Sequence, residues 1–150
     1  MRTILAAVFS LTLLGGQAPT ASLPVTTVRI DTAKGHADFV VEVAADDATR
    51  ERGLMFRKKM AANAGMLFDF HQPVMPTFWM KDTILPLDMV FIRADGTVSS
   101  IAADAVPFSL TSIPSGEPVR AVLEINAGRA KALDIKQGDK VHAKIFDGGR

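Results

Sequence analysis

The stretch Leu87-Asp88-Met89-Val90-Phe91-Ile92-Arg93 constrains the fold more than any other part of the chain. Alternate residues of an extended strand face opposite sides, and here both sides are apolar: Leu87, Met89 and Phe91 on one, Val90 and Ile92 on the other. Such a strand is stable only with both faces covered, so the stretch is expected to be a central strand with packed material above and below it. Asp95-Gly96 follows directly. Asp-Gly between apolar runs predicts a two-residue hairpin, because both central positions of that turn require positive φ, and Val98 to Ala102 is the expected returning strand.

Further extended segments are expected at Thr27 to Ile30, Ala37 to Val43, Met66 to Phe70, Thr77 to Lys81, Arg120 to Ile125 and Val141 to Phe146. Asp46 to Gly53 has acids at the start, arginines in the last turn and a terminating glycine, which predicts a short helix. A second short helix is expected from Asn126, as its cap, to about Leu133. Val106 to Pro118 carries three prolines and no periodicity, and is read as a long ordered loop. About eight short strands with two short helices predict a mainly β, compact single domain, a β-barrel or a β-sandwich.

Residues 1–22 read as a secretory signal peptide: Arg2 is its positive start, Ile4 to Leu14 its apolar stretch, and Gly15-Gly16-Gln17-Ala18 supplies small residues near a cleavage point. The apolar run falls short of the roughly 20 residues a spanning helix needs, so no membrane span is expected after cleavage. The domain is then 23–150, its core about 25–147, and its location periplasmic or extracellular. The chain has 17 basic and 16 acidic residues, and loss of Arg2 with the leader leaves 16 against 16. A neutral chain without a basic run is a poor partner for nucleic acid or an anionic membrane surface. With no cysteine there is no disulfide, no thiol chemistry and no Cys-ligated metal. The three histidines, His36, His71 and His142, share no ligand spacing, so neither a metal nor another cofactor is expected.

Several segments resemble the family catalogued as domain of unknown function 192: Arg52-Gly53-Leu54-Met55-Phe56-Arg57, Gly65-Met66-Leu67-Phe68, and Phe78 through Asp88 (FWMKDTILPLD). Asp95-Gly96, Val122-Leu123-Glu124 and Gly138-Asp139-Lys140-Val141 extend the likeness over nearly the whole mature chain. The resemblance implies a compact, mainly β domain of small, often exported prokaryotic proteins, and no established activity. Asp82 stands where the family usually has asparagine, and the Val106 to Pro118 loop lacks the cysteines many relatives carry there.

No nucleophile elbow or phosphate loop is present. The candidate ligand-binding residues are Arg52, Trp79, Lys81, Asp82, Thr83 and Asp88. Asp88 lies in an otherwise buried strand and needs partners, either as an ion pair or backbone clamp or as part of a site. Trp79 and Lys81 share one face by alternation, opposite Phe78 and Met80, so an indole and an ammonium lie together. If that face lines a cavity, it suits a small polar ligand with one flat apolar side, such as a sugar; otherwise Trp79 is a core aromatic. The expected function is therefore a binding or accessory module of the cell envelope, acting on an unknown small polar or carbohydrate-like ligand or an envelope protein. Two alternatives differ in class. One is a hydrolase of envelope carbohydrate using Asp88 and Glu124, which requires the two carboxyl groups to share a cleft. The other is a protein-interaction module using an exposed apolar patch.

Overall fold

The computed structural model describes residues 22–148, so the signal-peptide reading lies outside the described residues except at Ser22. Within them the chain runs β1 (Val25–Thr32), β2 (Gly35–Ala44), α1 (Asp47–Arg52), β3 (Ala64–Val74), β4 (Thr77–Phe78), β5 (Leu87–Ile92) and β6 (Val98–Ala105). It continues through β7 (Ile113–Pro114), β8 (Val119–Asn126), α2 (Arg129–Ala132) and β9 (Val141–His142) to a 3-10 turn at Lys144–Phe146. Seven strands form one sheet in the order β6-β5-β8-β3-β2-β1-β9, and β4 and β7 pair separately. Only β2 and β3 run parallel, joined by the crossover that carries α1. The sheet curls until its two edges meet, where Val98 N–H donates to the Asp139 carbonyl at 2.9 Å and Val141 N–H to the Gly96 carbonyl at 2.7 Å. The expectation of a mainly β single domain holds, as a curled, barrel-like sheet.

The three central strands explain the two-sided burial foreseen for Leu87 to Ile92, all six of whose residues are buried. Inside the curl, Leu67, Val90, Ile92, Leu123 and Ile125 pack with Val28, Ile30 and Phe39 of the β1–β2 hairpin. On the outer face, Met66, Phe68, Met89, Phe91 and Val122 form a second core. That core is roofed by Leu54 after α1, by Met80, and by Phe78 and Ile113 of the small β4–β7 ribbon. Phe78 is its hub, in edge-to-face contact with Phe68 at 5.1 Å, Phe91 at 6.2 Å and Phe70 at 6.5 Å between ring centres. Burying large side chains on both faces in this way stabilises each by roughly 1.5–3 kcal/mol.

Five local readings are corrected. The β5–β6 connection is not a two-residue hairpin: Gly96 alone takes positive φ, after a turn closed by Gly96 N–H to the Arg93 carbonyl at 3.0 Å, with a bulge beside it. That is the three-residue-loop solution, in which one left-handed residue suffices. Extended structure after β4 stops at Phe78, because Met80, Thr83 and Ser109 turn the chain back. Asn126 ends β8 instead of capping α2; its amide donates to the Met60 and Ala61 carbonyls at 3.2 and 2.9 Å, and Gly128 starts the helix. The last strand is only Val141–His142 before the 3-10 turn, and the Val106 to Pro118 loop contributes β7.

Gly65 lets β3 and β8 come close together: a Cβ there would collide with the Glu124 backbone carbonyl and lie 3.1 Å from Ile125 Cγ2. Gly65→Ala should therefore cost about 1–3 kcal/mol, read as a lowered denaturation midpoint, and an unchanged midpoint would show that the two strands are not held at this separation.

Candidate functional site

The outer core is roofed by separate pieces of chain, and their placement begins with α1. Asp46 caps the helix by accepting the Thr49 N–H at 2.8 Å, while its own N–H donates to Thr49 Oγ1 at 3.3 Å. Arg50 then fastens the helix to the sheet end, donating to the Ala45 carbonyl at 2.6 Å, the Asp69 carbonyl at 2.7 Å and the Asp47 carboxylate at 2.6 Å. Beyond α1, three loops are tied together by main-chain bonds. Phe56 N–H donates to the Asp82 carbonyl at 2.8 Å, Met80 N–H to the Ser109 carbonyl at 2.9 Å and Phe108 N–H to the Thr83 carbonyl at 3.2 Å. Phe56, Asp82 and Phe108 all have φ between 52° and 63°. For non-glycine residues this region is costly, and such strain concentrates where the surroundings over-determine it, often beside functional sites.

Between α1 and the β4 segment the roof leaves a cavity of about 250 Å³, open at one side. Phe68, Phe70 and Phe78 supply an aromatic wall, Leu54 and Met55 an aliphatic one, and Arg52 and Trp79 stand at the opening. Two polar side chains line it from buried positions, Thr83 at 5 % exposure and Glu124 at 4 %. The Thr83 hydroxyl donates to the Lys81 carbonyl at 3.0 Å, so its proton is already used within the turn.

Glu124 is the unusual group. Its cross-strand neighbours are Met66 on β3 and Met89 on β5, both apolar, and burial alone pushes its carboxyl up to about 8. No protein hydrogen bond or cation offsets that desolvation among the described residues. At neutral pH it is therefore a neutral acid, donor and acceptor at once, at the base of an apolar cavity.

The remaining sequence candidates divide. Trp79, 48 % exposed, Thr83 and Arg52 line the cavity, so Trp79 is not a core aromatic. Lys81 is exposed and lies 5.3 Å from the Trp79 ring centre, outside the cavity, while Phe78 and Met80, opposite them as expected from alternation, pack into the outer core. Asp82 acts through its carbonyl on Phe56. The Val106 to Pro118 loop braces the 80–83 turn and does not line the cavity. Asp88 is elsewhere altogether: it faces the inside of the curl, where its two carboxyl oxygens accept the N–H groups of Asp104 and Ala130, each at 2.9 Å. It clamps the end of β6 to the start of α2. Because Met89 pairs with Glu124 and Asp88 with Ile125, the two acids project from opposite faces of the sheet. They share no cleft, and the two-carboxylate hydrolase is excluded. Arg50, Phe68, Phe70 and Thr77 were missed, since only the crossover after β2 brings α1 against the outer face.

The chain belongs to the domain of unknown function 192 family, described as "Uncharacterized ACR", whose profile matches residues 28–143. It is similar to a solved structure from Sinorhizobium meliloti described as a candidate transcription regulator, at 47 % identity, with 83 % of this chain and 97 % of that one covered and a TM-score of 0.80. A protein of unknown function from Novosphingobium aromaticivorans is similar at 42 % identity, covering 83 % of this chain and 89 % of that one, with a TM-score of 0.80. No curated protein matches the chain.

The two acids should respond to substitution with opposite signs. Glu124 in the unfolded chain ionises near 4.5, whereas the folded chain keeps the proton to about 8. Folded molecules thus hold more protons across that window, and stability falls as pH rises through it. Glu124→Gln should leave stability unchanged at pH 4 and raise it by on the order of 2–4 kcal/mol at pH 8, measured by urea unfolding. Asp88→Ala leaves the buried Ala130 N–H and the part-buried Asp104 N–H unpaired and should cost about 2–4 kcal/mol; a neutral result there would remove its role as a clamp.

Proposed function

We propose that this chain is an exported binding module for a small molecule with a flat apolar side and few polar groups, held in the cavity between α1, Trp79 and Glu124. The carrying observation is the Glu124 carboxyl, buried at the cavity base with desolvation uncompensated by any protein partner among the described residues. Purely structural buried acids are paired, as Asp88 is. An unpaired one facing a cavity is the mark of a group whose partner arrives from outside. Aromatic walls supply apolar area, and one acid, one hydroxyl and Arg52 supply direction. A polyhydroxylated sugar would leave most of its hydroxyls against Phe68, Phe70 and Phe78, so the carbohydrate-like end of the range is less well served than a compact aromatic. Export rests on residues 1–22 alone.

The transcription-regulator description stays with the Sinorhizobium protein. Here the mature charge is balanced, and Arg29, Arg50, Arg57, Arg93 and Arg120 are each paired with an acid. That is unlike a phosphate-binding surface. A second reading is favoured by one specific observation: Phe56, Trp79, Ile84, Val106, Phe108 and Leu110, all large and exposed, stand on the three tied loops beside the cavity. An apolar collar of this kind also fits an envelope protein.

A thermal-shift screen of small aromatic compounds against residues 23–150 separates these readings. Thr77→Trp, which fills the opening, should abolish every stabilising hit, and Trp79→Ala should weaken hits at least tenfold while moving the ligand-free midpoint by no more than a few degrees. Hits that survive Thr77→Trp would place binding outside the cavity; a screen without hits, together with one envelope protein lost on Phe108→Lys, would favour the collar.

A further inference from the structure

Resting on the binding reading above, we infer that the cavity selects an uncharged carboxamide carried on a planar apolar body, and that Glu124 is the residue that recognises the amide. The geometry at the cavity base leaves three classes of head group to weigh. An organic cation would have to draw Glu124 into its ionised form between Met66 and Met89, with no donor to help it, while standing near Arg52, which has no acidic partner among the described residues. Arg50 is already neutralised by Asp47, and the other two charged groups that α1 brings to the cavity, Glu51 and Arg52, balance each other, so the opening carries no net charge that would draw in an organic ion of either sign.

A carboxylate offers acceptors only. It meets the Glu124 O–H but leaves the Glu124 carbonyl oxygen without a donor, and it brings a second acid into a desolvated base. A primary amide or a lactam meets both at once: its carbonyl accepts the Glu124 O–H while its N–H donates to the Glu124 carbonyl oxygen, closing a two-bond ring without burying charge. No other group at the base competes for that pair. Thr83, the other buried polar side chain of the lining, already donates its hydroxyl to the Lys81 carbonyl, Thr77 is exposed at the opening, and the strand neighbours are methionines. Phe68, Phe70 and Phe78 then define the body as flat and apolar, with Trp79 closing over it from the opening.

Isothermal titration of residues 23–150 with benzamide, benzoate, benzyltrimethylammonium and toluene tests this directly. At pH 6.5 benzamide should bind at least tenfold more tightly than each of the other three. At pH 9.5 its affinity should fall by about 30-fold, because about 1.5 pH units above its midpoint few Glu124 groups retain the proton. Glu124→Gln keeps a donor and an acceptor, so benzamide should still bind, now with no pH dependence between 6.5 and 9.5. Glu124→Leu, confirmed as folded by circular dichroism, should bind benzamide no better than toluene. Toluene binding the native protein without any advantage for benzamide would overturn the amide inference and leave the cavity reading standing. Preference for benzoate or the cation, or pH-independent benzamide binding to the native protein, would overturn it as well. Failure of all four compounds to bind the native protein would overturn both.

Discussion

The outer face of β3, β8 and β5 has to be covered, and everything distinctive about this protein follows from how that is done. Barrel-like curling disposes of the inner face, where the β1–β2 hairpin and α2 complete a continuous core. Among the described residues the outer face has no large second sheet to pack on. It is roofed by a six-residue helix, a two-stranded ribbon and three loops. Short pieces meet imperfectly, and their backbones reach one another only with Phe56, Asp82 and Phe108 in the left-handed region. The cavity is the gap in that roof, and the exposed collar is its edge.

One residue of register decides what the two buried acids do. Asp88 and Glu124 sit on neighbouring strands one step apart, so the pleat sends one inward and the other outward. Inward, two main-chain N–H groups were already waiting at the end of β6 and the start of α2, and the carboxyl became a clamp. Outward, there are methionines and empty space. The same chemical group thus serves architecture on one face and stands ready for an outside partner on the other, which is why charge and residue type alone do not identify a site.

Much of this was legible in the sequence. The two-sided apolar pattern of Leu87 to Ile92 required a central strand with two covered faces, and alternation correctly set Phe78 and Met80 opposite Trp79 and Lys81 without saying which pair faces the core. The family also followed from contiguous motifs, above all the segment from Phe78 to Asp88. What could not be read was non-local. Periodicity places Asp88 in a buried strand and Glu124 on another strand, but it gives neither the burial of Glu124 nor the face of one acid relative to the other, because those depend on strand register. It says equally little about α1, whose capping residues are plain at Asp46 and Thr49 while its seat against Phe70 depends on Arg50 reaching carbonyls at Ala45 and Asp69. The Asp95-Gly96 turn was misjudged for a local reason: a bulge lets glycine alone satisfy the twist.

The account rests on a neutral acid facing accessible space beneath Trp79. Carbon-detected NMR titration of the Glu124 carboxyl in the ligand-free mature protein, assigned by difference from Glu124→Gln, reads that state directly. A midpoint close to 8 is predicted from its burial; a midpoint between 4 and 5 would mean that water or a paired cation reaches the group, and would contradict the account of the site.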